Sequence, residues 1–243
     1  MIDIILLTCN RIALLKQVIT AFGERLKTPY HLIVVNNNSQ DGTTKYLDEL
    51  KETSNYPIIL IHRARGEELP SSFANTEAMK YVRSEYFITT QDDLIIPHLE
   101  PDVLQQMIDL MKRHPECGAL ALRDQNMKRH PLGDEEIFYN ILACPAWFRM
   151  QRKSDMESIG GFGEVTRWED SAMVKMCIRM GKKAGFASNL WCNDIGLDGN
   201  RGYPDWHIKN MLGNKRFEWV ANNKRQRPRR EIDPKTNKPI TNG

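Results

Sequence analysis

The sequence predicts an α/β fold, with a mostly parallel central sheet flanked by helices. Runs of β-branched and apolar residues alternate four times with segments of helical period before Arg113. That alternation implies right-handed crossovers between parallel strands. Three of the strand runs stop at polar, conformationally permissive residues, at the sheet edge where such folds hold their ligands. A hydrophobic content of 41% with 27% charge suits a sizeable core in a water-exposed chain.

The elements follow in order. Ile2 to Thr8 is the first strand, and a helix beginning near Asn10 carries Leu14, Leu15, Val18, Ile19 and Phe22 on one face. Leu32 to Val35 is a second buried strand. It runs into Asn36-Asn37-Asn38-Ser39-Gln40-Asp41-Gly42-Thr43, residues that tolerate positive φ, with Ser39 or Asp41 as N-cap of the next helix. That helix runs through Tyr46, Leu47 and Leu50. Pro57 to His62 is a third strand, Thr76 to Val82 a helix, and Tyr86 to Thr90 a fourth strand. A helix from Asp102 to Arg113 turns Val103, Met107, Leu110 and Met111 inward. Later, Trp147, Phe148 and Met150 mark a strand, and Glu169 and Asp170 open a helix with Met173, Met176, Cys177 and Met180 as its core face.

The 243 residues fit one large domain, or one domain with a tail. Apolar runs such as Ile2 to Cys9 are too short to span a bilayer, and no signal peptide opens the chain. Cys9, Cys117, Cys144, Cys177 and Cys192 are odd in number and form no C-x-x-C pair, as expected of reduced thiols in a cytoplasmic protein. His114-x-x-Cys117 lacks a second ligand pair. Residues 207–243 hold ten Lys or Arg against three acids, a charge of +7, whereas the remainder holds 24 against 28. This stretch includes Gln226-Arg227-Pro228-Arg229-Arg230 and is poor in apolar residues, which predicts a partly disordered tail. Two readings of the tail stand: a solvated end, or a peripheral contact with an anionic membrane or a nucleic acid. No G-x-G-x-x-G, P-loop or G-x-S-x-G motif is present, which argues against dinucleotide oxidoreductases, P-loop enzymes and α/β-hydrolases.

The fourth strand stops at Gln91-Asp92-Asp93. Two carboxylates at a strand end can form a solvated turn, or hold a hard divalent cation against a ligand's phosphates. Thr8-Cys9-Asn10-Arg11, the Asn36 run and this acid pair would line one crevice, where a nucleoside meets backbone and amide groups.

In sequence order these segments resemble the GT-A fold glycosyltransferases, most of all the large inverting family 2. Thr8-Cys9-Asn10-Arg11 resembles the family's T-x-N-R turn, and Val35 to Thr43 its V-D-x-G-S-x-D-G-T segment. Asn75 stands in the R-N pair, and Gln91-Asp92-Asp93 in the D-x-D position. Ile159-Gly160-Gly161-Phe162-Gly163-Glu164 and Trp168-Glu169-Asp170 resemble the G-G-F-x-E and E-D elements. The departures are Asn36 for the base-recognising Asp, Ala74 for the Arg of R-N, and Gln91 for the first acid of D-x-D.

The resemblance implies a nucleotide-diphospho-sugar transferase fold over residues 1–206, with residues 1–100 as nucleotide-binding half and 101–206 as acceptor half. It implies a hexosyltransferase-class enzyme that moves a monosaccharide from a nucleotide sugar, UDP-sugar favoured, to a carbohydrate or lipid-linked acceptor hydroxyl with inversion. Thr8, Asn10, Arg11, Asn36, Asn38, Asn75, Gln91 and Asp92 would face the nucleotide. Asp93 would ligate Mn2+ or Mg2+, completed by Asp194 or by His207. Asp170 would be the general base, with Glu169 as its rival. Trp168 is an acceptor platform or a core residue. A module without activity that binds a nucleotide sugar or glycan is an alternative, as is a nucleotidyltransferase, although the latter needs a basic Gly-rich phosphate loop that Thr8 to Arg11 does not supply.

Overall fold

A computed structural model describes residues 1–64, 67, 69–124, 135–163 and 169–196, without the side chain of Glu169, together with the backbone of residues 232–233 and 238–239. β1 (Ile2–Thr8), β2 (Tyr30–Asn36), β3 (Ile58–His62) and β4 (Tyr86–Gln91) form the parallel half of the sheet, in the order β3-β2-β1-β4. They are joined by α1 (Ile12–Arg25), α2 (Thr43–Thr53) and α3 (Ser71–Ala78), the last running into a 3-10 turn at Met79–Tyr81. β5 (Leu94–Ile95) and α4 (Val103–Arg113) precede β6 (Cys117–Asp124), β7 (Ile137–Tyr139) and β8 (Arg149–Arg152). α5 (Lys153–Ser158), α6 (Glu169–Arg179) and β9 (Lys183–Asp194) follow, and Ile232–Asp233 pairs antiparallel with Lys238–Pro239.

The parallel expectation holds for the first half and again where β6 pairs with β9. β8 inserts antiparallel between β4 and β6, while β5 and β7 both run antiparallel to β9. The result is a mixed sheet. α3 begins five residues before the sequence reading placed it, directly after Pro70. Proline presets a helix-compatible φ and has no N–H to leave unpaired. α1 begins at Ile12 rather than near Asn10, because Asn10 takes φ 53, a left-handed conformation that ends regular structure. Neither Ser39 nor Asp41 is the N-cap of α2. Gly42 is, while Asp41 Oδ1 accepts from the N–H and hydroxyl of Thr43.

Strand residues divide by parity between two cores, as a period-2 side-chain pattern requires. Ile4, Leu6, Leu32, Val34 and Ile88 face α1 and α4. Ile5, Ile33, Val35, Phe87, Ala119 and Ala121 face α3, α5 and α6. Met107, Leu110 and Met111 of α4 and Met173 and Cys177 of α6 are buried as their spacing predicts. Four of the five free cysteines are buried and Cys9 is partly exposed.

The register places the strand ends. Thr8 pairs Asn36, Asn36 pairs His62, and Leu7 pairs Gln91. The carboxyl ends of four parallel strands therefore form one row, on which the candidate site is built.

Candidate active site

The row is stitched together by its own side chains. The Asn10 N–H donates to Ser39 Oγ at 2.9 Å, and Asn10 Oδ1 accepts from the Gln40 N–H. Asn38, also left-handed at φ 58, accepts from Gln40 Nε2 through Oδ1. Asp41 Oδ2 accepts from the first N–H of α1, at Ile12, satisfying a donor that has no partner within the helix.

Asn36 is buried, and both ends of its amide are engaged. Oδ1 accepts from the Ser39 N–H at 3.2 Å, while Nδ2 donates to Thr44 Oγ1 at 2.8 Å and to His62 Nδ1 at 3.1 Å. An amide nitrogen only donates, so His62 accepts at Nδ1 and turns Nε2 toward Asp48 Oδ1, 3.1 Å away. The sequence reading missed His62; its place at the end of the third strand run was the available signal.

Beside this network stand the acids. Thr8 Oγ1 donates to Asp92 Oδ2 at 2.7 Å. Arg11 Nη1 lies 2.7 Å from Asp92 Oδ1 and 2.9 Å from Asp93 Oδ2. Two-residue pairing of β5 with β9 sets Leu94 opposite Asp194, and the Ile195 N–H donates to the Asp93 carbonyl. Asp93 and Asp194 thus sit at neighbouring positions where β5 and β9 pair. A Cβ on Gly196 would fall 2.3 Å from Asp93 Oδ2, so only glycine lets the backbone approach this closely. Asp124, at the end of β6, is also buried, adds to the rise at Asp194 and was missed. The signal was the same as for Asp92, an acid ending an apolar strand run.

Crowding of like charges shows in their proton affinities. Burial pushes Asp92 up to about 6, with Asp93 adding to the rise and Arg11 and the Thr8 hydroxyl opposing it. Burial first, then Asp93 and Asp124, push Asp194 up to about 7, against the Gly196 N–H and Arg11.

Hard carboxylate oxygens that repel one another are a fitting donor set for a divalent cation. No group of three or more His, Cys, Asp or Glu forms an all-protein metal cage among the described residues. Mg2+-type sites use one or two carboxylates and are completed by substrate phosphates and water. Asp93 and Asp194 fit that role. Asp92, already holding Thr8 and Arg11, fits it less well.

A second group of predicted residues lies on the α3–α6 side of the sheet. Arg149 pairs with Thr89 of β4, two residues before Gln91, whose side chain follows the parity of Phe87 and Thr89. Asn75 of α3 is buried, and its Oδ1 finds no donor among the described residues. It lines a cleft with Ser72, Arg149, Phe162, Met173 and Met176. The Gly160-Gly161-Phe162 turn closes this cleft. Gly161 takes φ +93 and a Cβ there would press on Thr76, whose Oγ1 accepts from the Phe162 N–H. Phe162 then packs edge-on against Phe87.

Asp170, in the first turn of α6, is half-buried. Its carboxylate accepts from the Ala146 N–H, and its backbone carbonyl accepts from the Cys144 N–H at 2.9 Å. Arg149 Nη1 donates to the Cys144 carbonyl at 2.7 Å. Burial raises the Asp170 pKa, partly offset by the Arg149 charge and the Ala146 bond. Arg149 was not foreseen, although an Arg between Phe148 and Met150 in a core strand was the available signal. Trp168 and His207 lie outside the described residues, as does the Glu169 side chain.

Several comparisons bear on this geometry. A search of curated protein sequences found no match. Among solved structures the chain is similar to the mannosyltransferase PcManGT from Pyrobaculum calidifontis in complex with GDP-Man and Mn2+. The TM-score is 0.70 at 20% identity, over 93% of this chain and 66% of that one. S. aureus TarS aligns with TM-score 0.58 at 14% identity, over 93% of this chain and 46% of that one. Its 1–349 fragment in complex with UDP-GlcNAc aligns with TM-score 0.58 at 12% identity, over 91% and 74%. The chain thus spans under two thirds of the length of the first two, and at these identities the likeness shows the fold, GT-A. The family model described as glycosyl transferase family 2 matches residues 3–162, which takes in the T-x-N-R turn, the Asn36 loop, the acid pair and the G-G-F turn. By that match over most of its length, the chain belongs to glycosyl transferase family 2.

Proposed function

We propose that the protein transfers a monosaccharide from a nucleotide sugar, UDP-sugar favoured, to an acceptor hydroxyl with inversion, and that Asp170 is the general base. The observation that carries this is the setting of Asp170: a half-buried carboxylate of raised proton affinity, fixed at a helix start by Ala146 and the Arg149–Cys144 contact. A base of this kind takes the acceptor proton as the hydroxyl oxygen bonds to the anomeric carbon. The bond from that carbon to the diphosphate breaks on the opposite face, its electron pair leaving with the phosphate, as in inverting hydrolysis with acceptor in place of water. Burial gives Asp170 the affinity to accept the proton, and the Arg149 charge keeps it ionised beforehand. Thr8, Asn10, Arg11, Asn38, Asn75, Gln91 and Asp92 are proposed to face the nucleotide sugar, with Asn36 shaping the loop beneath it. Trp168 is proposed on the acceptor side. Asp93 and Asp194 would hold Mn2+ or Mg2+, which when bound neutralises the departing diphosphate.

Asp93→Ala is expected to weaken Mn2+-dependent binding of UDP or GDP at least tenfold with little change in melting temperature, because a strand-end carboxylate adds little to the core. Calorimetry with and without Mn2+ checks it, and unchanged affinity would remove Asp93 from the site. Turnover of UDP-, GDP-, dTDP- and CDP-sugars identifies the donor.

A second reading, a binding module without transfer activity, is favoured by Asn36 and Gln91 standing where the family has acids. Nucleotide-induced thermal shifts without donor hydrolysis or transfer would support it. Among the described residues no helix is long and apolar enough to cross a membrane. The basic run at Lys224, Arg225, Arg227, Arg229 and Arg230 is proposed to contact an anionic membrane surface, at roughly 1 kcal/mol per cation. Deleting the chain after Asn223 should reduce binding to phosphatidylserine vesicles and leave nucleotide affinity intact. Equal vesicle binding by the two forms would reduce the run to a solubilising end.

A further inference from the structure

The acid row already holds a cation of its own. Arg11 Nη1 bridges Asp92 Oδ1 and Asp93 Oδ2 at 2.7 and 2.9 Å, with its side chain only 8% exposed. Asp92 is secured further by the Thr8 hydroxyl, whereas Asp93 Oδ2 is the oxygen that lies against Gly196 and faces the β9 end bearing Asp194. Asp93, which would help hold a divalent cation, therefore already carries the Arg11 charge on Oδ2, with Gly196 close by. A guanidinium and a divalent cation on one carboxylate oxygen repel at contact distance. The guanidinium therefore opposes a metal on Asp93.

We propose that Arg11 is a resident counter-cation that competes with Mn2+ or Mg2+ for Asp93, and that the nucleotide diphosphate draws Arg11 off so that metal and nucleotide bind as a pair. This rests on the reading of the row as a nucleotide-sugar site. Arg11 is placed for such an exchange. It immediately precedes Ile12 at the start of α1, and a helix N-terminus and a guanidinium both attract phosphate oxygens. Moving Arg11 from carboxylate to phosphate replaces one charge-assisted contact by another. It also uncovers Asp93 for the metal. Loading a cation without its nucleotide, by contrast, sets the cation against the charge of Arg11 on these acids.

The test is Mn2+ binding, by calorimetry or EPR, to wild type, Arg11→Met and Arg11→Lys, each with and without UDP or GDP. Without nucleotide, Arg11→Met should bind Mn2+ at least tenfold more tightly than wild type, and Arg11→Lys, which keeps the charge, should stay close to wild type. In wild type the nucleotide should tighten Mn2+ at least tenfold, and in Arg11→Met that coupling should shrink. Equal Mn2+ affinity in wild type and Arg11→Met, or no Mn2+ binding by either, overturns the proposal. The nucleotide-sugar reading fails separately, if wild type binds neither UDP nor GDP at any Mn2+ concentration, while the competition is still read from Mn2+ alone.

Discussion

Asp170→Asn is expected to lower sugar transfer by roughly 10²- to 10⁴-fold, the usual cost of a lost general base. The amide keeps the shape of the carboxylate but cannot take a proton. Donor affinity should survive, since Asp170 opens α6 whereas the acid row is built at the strand ends. The wild-type rate should fall in acid as Asp170 protonates, and because burial raises its pKa, that fall should begin above the ordinary carboxylate range. Initial-rate assays across pH, with Glu169→Gln as the matched variant, check it. Near-normal transfer in Asp170→Asn, with loss in Glu169→Gln, would exchange their roles.

Asp102→Ala is expected to be the most destabilising of the substitutions considered, by about 3 kcal/mol, from a lost N-cap and from backbone donors left unpaired. Asp102 caps α4 by accepting from the Gln105 N–H, and it also accepts from the N–H groups of Lys27 and Thr28 and from the Thr28 hydroxyl. One carboxylate thus ties the α1–β2 turn to the start of α4. In a chain of this size the melting temperature should drop by roughly 6–12 °C. Burial alone would raise the Asp102 pKa, but these hydrogen bonds outweigh it and the net pKa is lowered. A group with a lowered folded pKa stabilises above its unfolded value and loses that contribution as pH falls through the folded one. The gap between wild type and variant should therefore be full at neutral pH and narrow below about pH 4. A constant gap across that range would mean the carboxylate charge is not what stabilises the turn.

The parallel half was legible because each of its strands carries its own local signal, an apolar run ended by polar residues. Thr8, Asn36 and the Asp92–Asp93 pair fell on one edge for that reason. α4 was legible to within one residue, the reading starting it at Asp102, which instead caps a helix beginning at Val103. α3 was misplaced because its buried face is made of Ser72, Ala74, Asn75 and Ala78, too small and polar to show a hydrophobic period. Contacts made only in three dimensions stayed hidden. Arg149 reads in sequence as a charge in a strand, and its bond to the Cys144 carbonyl depends on the Phe148 turn at φ 48. His62 reads as the end of a strand, and its role comes from the register that sets it beside Asn36. Gln91, by contrast, was placed by its motif alone.

The pairing of Leu94 with Asp194 carries a consequence for how the protein comes into being. Asp93 and Asp194 are brought together by a two-residue ladder between segments a hundred positions apart, and contacts of such long range form late. A ribosome-bound chain could fold β1 to β4 and present Thr8, Arg11 and Asp92 while half its length is still unmade. It would lack the second carboxylate until β9 docks. During that interval Arg11 would set one positive charge against the two carboxylates of Asp92 and Asp93. The acid row proposed for the donor would then be completed only when β9 joins β5.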